Sequence, residues 1–457
     1  MQAIMTPEEM AAVDAAASEP VEELVERAGA AIARAAVELL GGTYGRRVVV
    51  LAGKGNNGAD GRAAADRLRR RGVRCTVVDA ADAPPTLPAA DLVIDAAYGT
   101  GFRGSFQPPA VADPTTPVLA VDIPSGVSGL TGDASGSPWP AVRTVTFAAL
   151  KPGLLLGEGP GLAGQVVLAD IGLDVSGARA WRVEAEDVAA WLPARPTDSH
   201  KWKAAAWLVA GSPGMVGAAH LATRAAQRAG AGYVRLSTPG SDQDPFAPTE
   251  AVVVALAAEG WASTVLDGED RFGALAVGPG LGTGAGDAEQ VRLLVAGSRS
   301  PVVVDGDGLR ALGPGAAEAI SERAPDAGPV VLTPHDGEFE ALDGGPPEAG
   351  RFAAARRLAG ATGAVVLLKG PTTLMARPDG HVWATTTGDA RLASAGTGDV
   401  LTGTVVALLA QGMPADRAAS AAAYLHGRAG ALAWRRGLVA GDVVDQLPAA
   451  LSELPGG

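Results

Sequence analysis

Cysteine is nearly absent from this 457-residue chain. Cys75 stands alone, which excludes an intramolecular disulfide and a cysteine-held zinc or iron–sulfur centre. No apolar run reaches the ~18 residues needed to cross a bilayer. The first turns carry Glu8, Glu9 and Asp14, which do not read as a basic-then-apolar signal pattern. Positive charge is the scarcer sign: 37 Lys and Arg against 50 Asp and Glu give a formal net charge of −13. That balance excludes a general nucleic-acid binder and a polybasic membrane binder. The expectation is a cytoplasmic protein with no nucleic-acid or membrane partner. Lysine and asparagine are rare too. There are five lysines (Lys54, Lys151, Lys201, Lys203 and Lys369) and two adjacent asparagines, Asn56 and Asn57. Drift in a GC-rich genome explains the scarcity but not the placement.

Hydrophobic residues make up 47% of the chain, enough for packed cores. The length allows two large domains or about three of roughly 150 residues. Thr6-Pro7-Glu8-Glu9 predicts a helix start, a capping box with proline in the first turn. A second helix is expected over 20–40. Strands are expected at 47–52, 73–79, 91–95, 117–122 and 142–147, with a helix at 60–71. A Pro-rich polar stretch, Leu192 to Ser199, reads as a boundary. The alternation then restarts, with strands at 205–210, 232–237, 275–278, 301–305, 330–333 and 364–368. Helices are expected at 217–229, 352–358, 400–411 and 415–435. Alternating strands and helices predict two α/β domains with parallel sheets, 1–195 and 196–457.

The strand at 47–52 runs into Gly53-Lys54-Gly55-Asn56-Asn57-Gly58-Ala59-Asp60. Glycines admit a phosphate close to the backbone, and the following helix start favours an anion. Asp79 ends the next strand, as a dinucleotide fingerprint requires. The paired asparagine amides suit ligand polar groups or a hard cation held through oxygen. Asp60 also reads as a plain helix cap. Asp95, before the glycine-rich 99–104, and Asp122, before Ile-Pro-Ser125-Gly, stand at two more strand ends. Phe147 is followed by Lys151-Pro-Gly. In open α/β sheets these positions share one rim.

Farther on, Ala395-Gly-Thr-Gly398-Asp399-Val-Leu-Thr-Gly403 sets small residues before a helix, exposing backbone N–H groups to phosphate. An Asp at that helix start can activate an alcohol for attack on a phosphoryl group; it can also be a cap. Lys369-Gly-Pro-Thr-Thr373 follows a strand, and Gly278-Pro-Gly280-Leu-Gly282 is a second glycine turn. His335 sits in Thr333-Pro-His-Asp-Gly-Glu338. No P-loop pattern occurs.

The first set of motifs (GKGNNGADG, DAAYGTGFRGS, DIPSG and KPG) resembles the NAD(P)H-hydrate epimerase, or YjeF N-terminal, family over roughly 1–180. The second set, with His200-Lys201 and Met215 to Ala219, resembles ribokinase-like ADP-dependent NAD(P)H-hydrate dehydratases over 200–403. The resemblance implies a Rossmann-like three-layer αβα domain followed by a ribokinase-like α/β domain. It implies that Asn56, Asn57, Gly58, Ala59 and Asp60, with Gly99, Thr100, Gly101, Phe102, Arg103, Gly104 and Ser105, contact the hydrated dinucleotide (NADHX or NADPHX). It places Asn57, Asp95 and Ser125 around K+ and Asp122 at the reacting centre. In the second domain it implies that Ala218, Gly280 and His335 line the hydrate site and that Asp399 is the base. Lys369, Gly370, Pro371, Thr372, Thr373 and Gly398 then hold the adenine nucleotide, with ADP as co-substrate and Mg2+ as metal. A homo-oligomer is expected. The pattern is broken at Ala59 (usually Gly), Arg62 (usually apolar) and Arg27 (usually Asn). It is broken again at Asp305-Gly-Asp307-Gly (usually Asp-Ala-Asp-Ala) and at Asp389, where Asn is common.

The expected function is therefore bifunctional: the first domain interconverts R and S hydrates, and the second dehydrates the S form with ADP. Three alternatives remain at this level. One is a ribokinase-type small-molecule kinase, and another is an NAD-dependent dehydrogenase resting on the glycine fingerprint and Asp79. The third is a first domain retained only for binding.

Overall fold

A computed structural model describes residues 1–194, 197–343, 345–347 and 350–456. Contacts divide the chain into two compact units, Gln2–Ala180 and Trp181–Gly457, with Met1 counted in the second. The expected division at 195/196 lies outside the described residues, and the contacts divide the chain earlier. The reason is packing. Val188 is fully buried in the second unit's core, and Trp191 stacks on Trp383 with ring centroids 4.9 Å apart. The chain has joined that core before the Pro-rich stretch begins.

The first unit opens with helix α1 (Pro7–Ala16). Thr6 Oγ1 accepts from Glu9 N at 3.1 Å and Glu9 Oε2 accepts from Thr6 N at 2.7 Å, the expected capping box. Helix α2 (Val21–Leu40) buries Ala28, Ile32, Ala33, Ala36 and Leu40, and ends at Gly41 with φ 64°. Strand β1 (Arg47–Ala52) leads into helix α3 (Asn56–Arg70). Strands β2 (Arg74–Asp79), β3 (Leu92–Ala96), β4 (Val118–Val121), β5 (Arg143–Phe147) and β6 (Gln165–Ala169) follow. They pair in parallel in the order β2-β1-β3-β4-β5-β6. Val48 to Ala52 are at most 2% exposed, as befits a strand covered on both faces. The order reverses at β1: the chain passes outward to β2, then returns to β3 on β1's other side. The loops leaving the carboxyl ends of β1 and β3 diverge there and open a crevice.

The second unit contains β7 (Ala205–Val209), α4 (Gly217–Arg228), β8 (Tyr233–Ser237), β9 (Val252–Val253), β10 (Ala274–Val277), β11 (Val302–Val304) and β12 (Val330–Leu332). Next come α5 (Asp336–Asp343), β13 (Val365–Leu368), β14 (Thr373–Ala376), β15 (Val382–Thr385), α6 (Thr397–Ala410) and α7 (Ala415–Leu432). Along the sheet the order is β15-β14-β13-β12-β11-β10-β7-β8-β9. Pairing is parallel from β9 to β13 and antiparallel through β14 and β15. Helix α6 is apolar on every side and is buried from Val400 to Ala410. It lies so close to α4 that a Cβ on Gly403 would stand 2.0 Å from the Ala222 carbonyl oxygen. Every expected strand is present to within one residue at each end.

Candidate active sites

The first site forms where β1, β3, β4 and β5 end. Gly53 and Gly58 let the loop close: a Cβ on Gly53 would meet Ala97 O at 1.9 Å, and one on Gly58 would meet Gly53 O at 1.9 Å. Helix α3 begins at Asn56, so Asn56, Asn57 and Asp60 occupy its first turns. Both polar atoms of the Asn57 amide are buried without a hydrogen-bond partner. Asp95, at the end of β3, is fully buried. Ser125 Oγ donates to Asp95 Oδ1 at 2.6 Å and Ser125 N to Oδ2 at 2.9 Å. Burial pushes the Asp95 carboxyl up from its ordinary value, against those bonds. Asp122 follows β4 with φ 66°, a left-handed conformation rare outside glycine. Its Oδ1 accepts from Lys151 Nζ at 2.5 Å and from Thr146 Oγ1 at 3.1 Å.

A cavity of about 610 Å³ is lined by Asn57, Asp122 and Lys151, while Asp95 and Ser125 are outside its lining. Of the residues expected to contact the dinucleotide, Asn56, Asn57, Asp60, Gly99, Thr100, Gly101, Phe102 and Arg103 line it, as does Asp122. Gly58, Ala59, Gly104 and Ser105 are not part of the lining. Gly58 shapes the loop instead, and Gly104 O accepts from Ser135 Oγ at 2.7 Å. Sequence reasoning missed Asp14 and the apolar wall of Met10, Val21, Leu24, Val25 and Ala28. Burial pushes Asp60 up to about 8, aided by the charges of Asp122 and Asp14 and opposed by Lys151. Asp79 does not line the cavity; it pairs with Arg62 at 3.4 Å. Arg62 also donates to Gly53 O at 2.7 Å, bracing the glycine turn. Arg27, in place of the usual amide, donates to Ile171 O at 2.7 Å, and Ile171 borders the cavity.

The second site lies between the end of β13 and the start of α6. Its cavity, about 540 Å³, is lined by His335, Lys369, Gly370, Pro371, Thr373 and Gly398 from the expected set. Thr372, Asp399, Ala218 and Gly280 are outside that lining. Ala218 and Gly280 face each other: a Cβ on Gly280, whose φ is 66°, would lie 3.2 Å from the Ala218 Cβ. Lys369 Nζ is 2.8 Å from Asp305 Oδ1 and 3.3 Å from Glu338 Oε2. Asp305 also accepts from Thr333 Oγ1 at 2.8 Å and from Thr402 Oγ1 at 2.6 Å. Burial works to raise Asp305, but Lys369 and the two hydroxyls hold it below the ordinary carboxylate range. This buried cluster was not anticipated from the sequence.

Asp399 sits in the first turn of α6. Burial pushes it up to about 7, with Asp305, Glu338 and Asp307 adding to the rise and Lys369 opposing it. His335 Nδ1 accepts from Gly337 N at 3.0 Å and Glu338 N at 3.2 Å, so its proton belongs on Nε2. His426, also unanticipated, lines the same cavity, and burial pushes it down to about 4. Asp389 is paired with Arg391 at 2.6 Å, so its charge is balanced beside the cavity. Among the described residues, no group of three or more His, Cys, Asp and Glu side chains is placed to hold a metal ion.

Residues 206–451 match the family model described as NAD(P)H-hydrate dehydratase. Residues 21–88 and 79–153 match that of the YjeF-related protein N-terminus. A bifunctional NAD(P)H-hydrate repair enzyme of Salinibacter ruber is 36% identical, covering 95% of this chain and 92% of its own. Among solved structures, the Bacillus subtilis ADP/ATP-dependent NAD(P)H-hydrate dehydratase, co-crystallised with ATP and Mg2+, is 32% identical with a TM-score of 0.52. It covers 59% of this chain and 97% of its own. An Enterococcus faecalis ribokinase-like superfamily protein shares the fold at 24% identity and a TM-score of 0.54, covering 62% of this chain and 98% of its own. Likeness over nearly the whole length, together with both family models, shows that the chain belongs to the bifunctional NAD(P)H-hydrate repair enzyme family.

Proposed function

We propose that the first unit interconverts the R and S hydrates of NADH and NADPH, and that the second dehydrates the S form with ADP. The observation that carries this reading is one chain holding two distinct carboxylate sites. Asp122 stands on a strand-end rim beside an unpartnered asparagine amide, and Asp399 stands at a glycine-led helix start.

In the first unit Asp122 serves as the acid–base group at the hydrate's C6 alcohol. The orphaned Asn57 amide fits a hard monovalent cation taken through oxygen, with the buried Asp95–Ser125 pair as the further oxygen donors of the reading. Bound there, K+ would supply fixed positive charge beside the substrate. In the second unit the N–H groups opening α6 favour a phosphate, and Gly370 to Thr373 offer a strap for the nucleotide. Asp399 takes the proton of the hydrate's hydroxyl. The oxygen attacks the terminal phosphoryl group of ADP and AMP leaves. Loss of phosphate from C6 with a proton from C5 restores the double bond, giving NAD(P)H. Mg2+ would arrive with the nucleotide and offset the charge of its phosphates. The reading includes a cytoplasmic location and a homo-oligomer, the latter checked by light scattering. No helix among the described residues is long and apolar enough to cross a membrane.

The test supplies purified R hydrate or S hydrate with ADP and follows the absorbance of regenerated NADH. The unmodified chain should consume both. Asp122→Ala should consume S alone, and Asp399→Asn neither. Phosphorylation of a sugar or vitamin alcohol without NADH regeneration would overturn the reading.

A further inference from the structure

Lys151 is the residue of the first site whose part the family motifs leave unassigned. An ammonium carries three hydrogens. Three oxygens receive them: Asp122 Oδ1 at 2.5 Å, Thr146 Oγ1 at 2.9 Å and Phe147 O at 3.1 Å. The side chain is 3% exposed. With every hydrogen committed, Lys151 has none to offer a ligand. Thr146 Oγ1 also donates to Asp122 Oδ1, so two donors converge on that one oxygen. Among the described residues no hydrogen bond reaches Asp122 Oδ2. Asp122 therefore meets the cavity with one oxygen anchored and the other open, on a backbone held at φ 66°.

Asp60 is the contrasting case. It lines the same cavity, is 9% exposed, and has no hydrogen bond or ion pair among the described residues. The charged groups around that cavity are Asp14, Lys54, Arg103, Asp122 and Lys151. Lys151, the cation nearest the reacting end, is spent on Asp122. A second ionised carboxylate there would be a buried charge beside a like charge.

We propose that Lys151 is the positioning residue of the first site: it holds Asp122 with one oxygen anchored and the other free to accept, and, being spent there, leaves Asp60 to carry the proton that the reaction donates. The proposal rests on the epimerase reading of this unit. In the hydrate, C6 bears a hydroxyl and is bonded to the ring nitrogen N1. Asp122 takes the hydroxyl proton and a C6 carbonyl forms. The C6–N1 bond breaks with its electron pair going to N1, and Asp60 protonates N1. Rotation about C5–C6 presents the other carbonyl face. N1 re-adds as its proton returns to Asp60, and the oxygen recovers a proton from Asp122. No outside oxidant or reductant enters.

Burial and the neighbouring carboxylates push Asp60 up to about 8, with Lys151 opposing. The donor is protonated below that pH, so conversion of R to S hydrate falls as pH rises through about 8.

The experiment uses the intact chain without ADP, so that the second site is idle, and separates the two hydrates by chromatography. Lys151→Met should lower kcat about 100-fold with KM within about threefold. Its alkaline limb should lie above the parent's, because the cation opposing Asp60 is gone. Asp60→Asn should lower kcat comparably and show no limb near pH 8. Thr146→Val, which removes only the shared hydroxyl, should lower kcat about tenfold, and it decides the question if Lys151→Met fails to fold. Variant rates within twofold of an active parent, or a limb that persists in Asp60→Asn, would overturn the proposal alone. A parent chain that converts no R hydrate would overturn the epimerase reading and the proposal with it.

Discussion

With Asp399 as the proposed base, dehydration by the second unit should depend steeply on pH around neutrality, because a base works only when ionised. Burial and the nearby Asp305, Glu338 and Asp307 push its carboxyl up to about 7. A single ionisation at that value leaves about 9% of the base ionised at pH 6 and about 91% at pH 8. The kcat/KM for S hydrate at saturating ADP should therefore rise about tenfold over that interval, then level off. The sign can be checked from the neighbours. Asp307 accepts from Gly282 N at 2.9 Å and adds negative charge near Asp399. Asp307→Asn removes that charge, makes ionisation of Asp399 easier and should move the limb to lower pH. The assay is the initial rate of NADH absorbance gain across buffers of constant ionic strength. A profile flat between about pH 5.5 and pH 8, or a limb that moves upward in Asp307→Asn, would refute Asp399 as the titrating base.

Two further outcomes follow from local geometry. If the orphaned Asn57 amide takes a cation, the melting temperature of the parent chain should rise more in K+ than in Na+. Asn57→Ala should abolish the difference, and an undiminished K+ effect would remove Asn57 from the site. Gly427 lines the second cavity, and a Cβ there would lie 2.3 Å from Thr387 Oγ1 and 2.5 Å from Gly388 N. Gly427→Ala should push the Thr387–Gly388 segment, which borders that cavity at Gly388, and cost about 1–3 kcal/mol of stability by chemical denaturation. It should also raise the nucleotide KM, and an unchanged KM would separate the 387–388 segment from nucleotide binding.

The parallel strands were legible because burial on both faces leaves near-continuous apolar runs, as in Val48 to Ala52. Gln165–Ala169 was not, because it lies at the sheet's edge, alongside β5 alone, and its residues are only partly buried. Val252–Val253 is too short to carry any pattern. The helix at Ala285–Gly297 buries only Val291, Leu294 and Val295, a stripe too thin to distinguish from a polar loop. The glycine loops of both sites could be read because their chemistry belongs to consecutive backbone groups. The buried network of the second site could not. Lys369 meets Asp305 across 64 residues, and Thr402 meets it across 97. Only the fold brings those strand ends and the start of α6 together.

Lysine scarcity shows where local and long-range information meet. Lys203 pairs with Asp198 on the surface at 2.8 Å, a contact arginine could make equally well. Lys151 and Lys369 are different. Each puts a nearly buried ammonium against an aspartate, at 2.5 and 2.8 Å; two further oxygens converge on the Lys151 nitrogen and one, from Glu338, on that of Lys369. A planar guanidinium cannot direct hydrogens from one atom toward the three oxygens around Lys151, or the two around Lys369, in so small a volume, whereas a tetrahedral ammonium can. In an arginine-rich chain, lysine stands at these two points, where a compact cation meets a buried or half-buried aspartate at each candidate site. Replacing either by arginine should therefore disturb its own site, although the formal charge is unchanged.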